Sequence, residues 1–224
     1  MLTLGIDDAG RGPLIGPMVL AGALLDETQE KILRGHNVRD SKDVIHSDRI
    51  RMFQLIKDNS HAYKIVKTSA SKIDSSLNSG TNLNTLEAKN AAEIINSINC
   101  GKFREEKIKV IIDCPSVNTL AWCATVKHFV EHLDNLNIKC EHKADVNYIS
   151  AAAGSILAKV TREEEVGKIK KEFGNVGSGY PSDPNTKRFL REHGAKLKDS
   201  GIFRKTWATW KKLFPESDNQ KTLF

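Results

Sequence analysis

Cysteine is scarce, aromatic residues make up only 6% of the chain, and no apolar run is long. The four cysteines, Cys100, Cys114, Cys123 and Cys140, show neither the CxxC pairing of zinc sites nor the density of a disulfide scaffold, so they read as reduced and structural. No apolar stretch approaches the roughly 20 residues that a bilayer demands, which argues against a membrane protein. The opening MLTLGIDDAG places two carboxylates where a secretory signal needs a basic flank and an apolar core, so the cytoplasm is the expected location. Several catalytic signatures are missing as well. There is no GxxxxGK[ST] phosphate loop, no GxSxG elbow and no HExxH pair, and Gly10, Gly12 and Gly16 do not give GxGxxG. His128 and His132, four apart in a predicted helix, read as surface residues.

What is present is a chain of 224 residues, 39% hydrophobic and 28% charged, long enough to bury a core without staples. The formal charge is +6, and its distribution is uneven. Residues 1–158 carry 19 basic and 19 acidic side chains, whereas residues 159–224 carry 15 basic and 9 acidic ones. A basic carboxyl-terminal third can attract phosphate backbones, although a solvated helical face would look the same.

Leu2 to Asp8 and Leu14 to Leu25 are β-compatible runs separated by the turn-like Gly10, Arg11, Gly12 and Pro13, which predicts a hairpin. Ser47 to Asp58 has helical periodicity with Ser47 as N-cap, and Ala62 to Thr68 alternates like a strand. A helix follows over Asn84 to Ile98, with Leu86, Ala91, Ile94 and Ile95 on its apolar side. Strand Ile108–Ile112, helix Thr119–Leu133 and strand Ile138–His142 form a crossover between parallel strands. From Tyr148 the small apolar series SAAAGSILAKV suits a helix packed closely on a sheet. Gly174 to Pro184 reads as loop, and basic helical segments follow at 184–195 and 203–214. The expected architecture is a mixed α/β sheet with a helical carboxyl-terminal extension, divided as residues 1–183, 184–214 and a loose tail over 215–224.

The aspartates carry the chemistry. Asp7 and Asp8 end the first strand, Asp113 ends VIID, and Asp145 follows the strand containing Cys140. A lone ionised carboxylate beside a core strand is costly, and four gathered at strand ends would repel unless cations held them. Hard oxygen donors without a His or Cys cluster favour magnesium or manganese, and two such ions suit phosphodiester hydrolysis. For any single one of these residues, a strand-terminal Asp in a turn is the ordinary explanation, and spacing alone does not decide between them.

The motifs then carry a specific likeness. GIDDAGRGPLIGPM at Gly5–Met18 resembles the opening motif of ribonuclease HII, usually G-[IV]-D-E-A-G-R-G-P. RDSK at Arg39–Lys42, IIDCP around Asp113, HKAD at His142–Asp145, SAAAGSILAKVTRE from Ser150 and GSGYPSDP at Gly177–Pro184 follow in order. The resemblance implies a ribonuclease H-like fold, a mixed β-sheet flanked by helices, in a single-chain form that looks archaeal. It implies hydrolysis of the RNA strand of RNA/DNA hybrids and cutting at ribonucleotides embedded in duplex DNA, with two divalent ions, Mg2+ or Mn2+, held by Asp7, Asp8, Asp113 and Asp145. One position departs from the family: Asp8 stands where Glu is usual, one methylene shorter, so reduced activity or a shifted metal preference is expected.

The same resemblance makes Gly10, Arg11 and Gly12 the reader of the ribose 2′-hydroxyl, helped by Tyr180, and makes Lys42, Ser155 and Lys159 phosphate contacts. Glycines let backbone groups approach the 2′-hydroxyl, the one group that separates RNA from DNA. Lys187, Arg188, Arg191, Lys196, Lys198, Arg204, Lys205, Lys211 and Lys212 are expected to give duplex affinity, with Trp207 and Trp210 as packing residues. The terminal QKTLF resembles the start of the peptide that docks on the sliding clamp PCNA, through Gln220, Leu223 and Phe224, but lacks its second aromatic. A non-enzymatic RNA/DNA-binding protein with a metal site impaired by Asp8 is the alternative to an active nuclease. No feature indicates an oligomer.

Overall fold

The computed structural model describes residues 1–38 and 46–215. Among these, a five-stranded sheet is built from β1 (Leu2–Ala9), β2 (Met18–Leu25), β3 (Ala62–Thr68), β4 (Ile108–Asp113) and β5 (Leu136–Glu141) in the order β3-β2-β1-β4-β5. β1 pairs antiparallel with β2 and parallel with β4; β2–β3 is antiparallel and β4–β5 parallel. The mixed sheet and the hairpin agree with the sequence expectation. The helices are α1 (Glu27–Gly35), α2 (His46–Asn59), α3 (Ala70–Asn78), α4 (Leu83–Ile98), α5 (Thr119–Phe129), α6 (Ala144–Asn147), α7 (Ile149–Phe173), α8 (Pro184–His193) and α9 (Ala208–Leu213).

Both faces of the sheet are covered, which is why every residue of β2 is buried. One face packs on α4 and α5 through Leu4, Ile6, Leu86, Ile94, Val110 and Trp122. The other packs on α7, α1 and α2 through Val19, Leu33, Ile56, Ile156 and Leu157. A third cluster joins Leu14, Ile15, Val166, Phe189, Phe203 and Trp210, so the carboxyl-terminal segment is seated on the stretch between β1 and β2.

Several boundaries shift for identifiable reasons. Leu14–Gly16 is not part of β2: Gly16 N–H donates to Ile202, Arg204 N–H donates to Leu14, and Ile15 bridges Phe203. The expected helix over 203–214 therefore shrinks to α9. α5 stops at Phe129 instead of Leu133 because Asn96 of α4 and Asn99, which follows its last residue, capture the carbonyls of Phe129 and His132, and Asn96 also accepts from the Glu131 amide. β5 begins at Leu136, two residues early, paired with Ile108. α2 starts at His46, which puts Ser47 inside its first turn instead of at the cap.

Sequence reading missed α1 and α3. Their signals were local: Asp26 caps α1 in a reciprocal box with Gln29, and the Ser69 hydroxyl accepts from Lys72 N–H at the start of α3. The four cysteines are free thiols, and no described helix is long and apolar enough to cross a membrane.

α7 packs closely on the backbones of both β1 and β2. A Cβ on Gly5 would stand 2.0 Å from the Ser150 carbonyl carbon, and one on Gly154 would stand 2.7 Å from the Ala21 oxygen. Backbone cannot yield at such distances as a flexible side chain would. Gly5→Ala is expected to cost about 2–4 kcal/mol in chemical denaturation through overpacking. Gly167→Ala on the same helix meets nothing within 4 Å, and is expected to gain about 0.5–1 kcal/mol.

Candidate active site

Alternation along β1 sends its two terminal carboxylates to opposite faces of the sheet. Asp7 turns towards α7 and lies beside Ser155; Asp8 turns towards α4 and feels Glu87. One residue beyond the last paired positions of β1 and β4, Ile6 and Ile112, Asp7 and Asp113 come together. Asp7, Asp8, Asp113 and Glu87 line one small cleft with Trp122 and Pro115. Asp113 also accepts the Ala144 N–H at 2.8 Å, which anchors α6, the short helix that carries Asp145. Asp145 therefore sits on a short helix past the strand, and does not line the cleft itself.

The electrostatics are those of gathered charge short of a counter-charge. Asp7 is 6% exposed, and burial, followed by the Asp8 and Asp113 charges, pushes its carboxyl up to about 8. The Asp8 amide donates to Asp7 Oδ1 at 2.7 Å and offsets little of this. The Ser155 hydroxyl favours the ionised form of Asp7 without completing a well-aligned bond, and is left without a hydrogen-bond partner. Burial, then Glu87, pushes Asp8 up to about 7, with Arg11 and Lys159 pulling the other way. Buried carboxylate oxygens of this kind, with no His or Cys ligand among them, suit a hard divalent cation. Among the described residues no three His, Cys, Asp or Glu side chains are already spaced around one point, so the carboxylates would have to turn to close on an ion.

Glu87 is the residue that sequence reading missed. It is 1% exposed on the buried side of α4, and burial raises it to about 7 even though Arg11 opposes the shift. Arg11 Nε donates to both its oxygens at 2.9 and 3.0 Å, and Arg11 Nη2 donates to Asn84 at 2.6 Å. The available signal was a lone acid among Leu86, Ala88 and Ala91 on an apolar helix face.

The Gly10–Pro13 turn follows β1 directly and is tied to this cleft through Arg11 and Glu87. Gly10 has φ +82°, and a Cβ there would stand 2.3 Å from Arg162 Nε, so both backbone conformation and space require glycine. Gly12 is exposed, and a Cβ on it would lie 3.6 Å from the Tyr180 ring. Tyr180 is 41% exposed and stacks with the Arg162 guanidinium, 5.4 Å from its ring centroid. Ser155 and Lys159 lie one turn apart on α7; Ser155 is beside Asp7, and the Lys159 charge favours ionised Asp8. Lys42, Gln220, Leu223 and Phe224 lie outside the described residues.

Arg204 requires a correction. It is 0% exposed and bonded to backbone carbonyls, whereas the other expected basic residues of the segment, such as Lys187, Arg188 and Lys205, are exposed. It supports the turn and offers nothing to a duplex. Trp210 is core as expected, and Trp207 packs against the same cluster. A cavity of about 480 Å³ beside Lys205 and Trp210 is larger than the acidic cleft, but its one carboxylate, Asp74, is occupied by Lys205 N, Thr206 N and Thr206 Oγ1.

A mixed sheet with carboxylates meeting where its two central parallel strands end defines a nuclease of ribonuclease H-like fold. Residues 4–210 match the family model described as Ribonuclease HII. The chain is 39% identical over 210 residues to ribonuclease HII of Pyrococcus furiosus, covering 93% of this chain and 89% of the relative. Its fold superposes on the crystal structure of the ribonuclease H2 from Pyrococcus horikoshii with a TM-score of 0.84 and 34% identity, covering 95% and 97% of the two chains. The Archaeoglobus fulgidus ribonuclease HII solved in a PCNA complex gives 0.80 and 31%, covering 92% and 95%. The chain belongs to the ribonuclease HII family, and is a type 2 ribonuclease H, an endonuclease acting on RNA/DNA hybrids. That family depends on divalent metal.

The raised carboxyl of Asp7 has a sign that can be checked. A carboxyl that holds its proton more tightly folded than unfolded contributes stability that is intact below about pH 4 and lost as pH rises through about 8. In EDTA at about pH 8.5, Asp7→Asn is expected to raise Tm by roughly 4 to 8 °C, with the gain vanishing near pH 4. A thermal melt at both pH values measures it.

Proposed function

We propose that this enzyme hydrolyses the RNA strand of RNA/DNA hybrids and also cuts at single ribonucleotides embedded in duplex DNA, leaving 5′-phosphate and 3′-hydroxyl ends. The observation that carries the reading is the meeting of Asp7, Asp8 and Asp113 at the strand ends, with the glycine-rich turn beginning two residues after Asp8. Asp7, Asp8, Asp113 and Asp145 would hold two divalent ions, Mg2+ or Mn2+, which when bound supply water activation and charge stabilisation at the leaving 3′-oxygen.

The protein's own groups position the strand. Backbone donors of the Gly10–Gly12 turn approach the 2′-hydroxyl, and the exposed Tyr180 ring beside Gly12 offers a face to the neighbouring sugar. Ser155, Lys159 and Lys42 fix the phosphates, lysine as a point charge and serine by register. Arg11 is held by Glu87 and Asn84, so its role in the turn is to lock the backbone in place. Residues 1–183 form the catalytic unit in this reading, and the exposed cations of residues 184–214 add salt-dependent duplex affinity.

Asp8 sets the expected weakness. Its carboxylate is one methylene shorter than the Glu usual in the family, and its ionisation is opposed by Glu87 and favoured by Arg11. Asp8→Glu is expected to raise cleavage of a duplex with one embedded ribonucleotide by roughly 10- to 100-fold with magnesium. An unchanged rate and metal preference would show that the short side chain is not limiting. Metal-dependent cutting of that substrate by the unaltered protein separates the enzyme from a binding protein on the same fold, which would bind without cutting.

The relative from Archaeoglobus fulgidus was solved with PCNA, and the tail QKTLF supports the same partnership here through Gln220, Leu223 and Phe224. Deleting residues 220–224 is expected to abolish binding to an immobilised clamp while leaving cleavage in its absence intact; unchanged affinity would dismiss the docking role.

A further inference from the structure

We propose that Arg204 and Trp207 are positioning residues for ribose discrimination, holding the Gly10–Pro13 turn by its carbonyl oxygens so that the amides of Arg11 and Gly12 face outward as donors. The inference rests on the reading of that turn as the ribose sensor. Arg204 Nη2 donates to the Gly10 oxygen at 2.6 Å and Nη1 to the Arg11 oxygen at 2.7 Å. Nε and Nη2 also reach the Gly16 oxygen at 3.1 and 3.0 Å, where the far end of the loop returns. Trp207 Nε1 donates to the Gly12 oxygen at 3.1 Å, and its ring lies 4.9 Å from the Arg204 guanidinium. Three consecutive carbonyls are thus held from beneath by two side chains of the carboxyl-terminal segment.

Peptide planarity converts this hold into a direction. The Gly10 carbonyl shares its peptide with the Arg11 N–H, and the Arg11 carbonyl shares its peptide with the Gly12 N–H. No peptide bond among the described residues is cis, so each N–H points away from its oxygen. With both oxygens turned to Arg204, the two N–H groups form a pair on the opposite side, where Gly12 is exposed. A buried positive charge on the oxygen end also polarises each peptide and strengthens its donor end. The third peptide ends in Pro13 and has no N–H; by holding its Gly12 oxygen, Trp207 fixes the exit of the turn and keeps Gly12, which bears the second donor, from rotating. Only arginine has a planar fork that can reach three carbonyls at once; a lysine could not hold both planes. From the other side, Arg11 is tied by its side chain to Glu87 and Asn84, which opposes rotation of the turn as a whole.

The test uses the full chain with calcium as the only divalent ion. Binding is measured to a duplex carrying one ribonucleotide and to the all-DNA duplex of the same sequence. Arg204→Lys removes the fork, and Trp207→Phe keeps the ring while removing its N–H, so the second variant is informative even if the first fails to fold. The expected result is that preference for the ribonucleotide duplex falls by about fivefold or more, while all-DNA affinity moves much less. Parallel weakening on both duplexes, or an intact preference in Trp207→Phe, overturns the positioning role. Absence of any preference in the unaltered protein overturns the ribose reading of the turn itself, and the inference with it.

Discussion

The close approach of α7 to the backbone of β1 is the constraint on which the rest depends. Gly5 and Gly154 leave no room for even one carbon between helix and sheet. That contact brings Ser155 beside Asp7 and Lys159 within reach of Asp8. A wider separation would fill with side chains and leave the strand-end carboxylates facing a conventional core. The alanine-rich start of α7 serves the same end, since Ala151, Ala152 and Ala153 are buried with almost no bulk.

Once the backbone is that close, the acids have nowhere to disperse their charge. Asp7 and Asp113 meet across two parallel strands, Asp8 faces Glu87 on the other side, and Arg11 is committed to Glu87 and Asn84. Burial and the neighbouring charges hold the Asp7 and Asp8 carboxyls well above the usual carboxylate range. Sites that must bind cations are commonly organised against their own folding energy in this way, with ligand binding returning what was given up.

The carboxyl-terminal segment has two faces. Outward it presents cations such as Lys187, Arg188 and Lys196; inward it presents Phe203, Arg204 and Trp210 to the stretch between β1 and β2. A residue that looks like one more basic surface group can therefore be fully enclosed. Charge on paper says nothing about direction: Arg204 turns inward to the carbonyls of the turn, whereas the next residue, Lys205, stays exposed.

Local periodicity and motif order, read from the residues alone, determined the hairpin, the parallel crossover, the long small-residue helix and the places of Asp7, Asp8 and Asp113 at strand ends. These are properties of neighbouring residues, and the ribonuclease HII likeness rests on the same short runs. Boundaries and roles that depend on distant partners were not legible. The early end of α5 is set by asparagines more than 30 positions away, Leu14–Gly16 pairs with residues near 203, and Glu87 joins the acids only because α4 covers the sheet. What the linear chain determined was which chemistry is available. Only the tertiary structure decided which side chains face one another, because burial and long-range hydrogen bonds are settled by the packed whole.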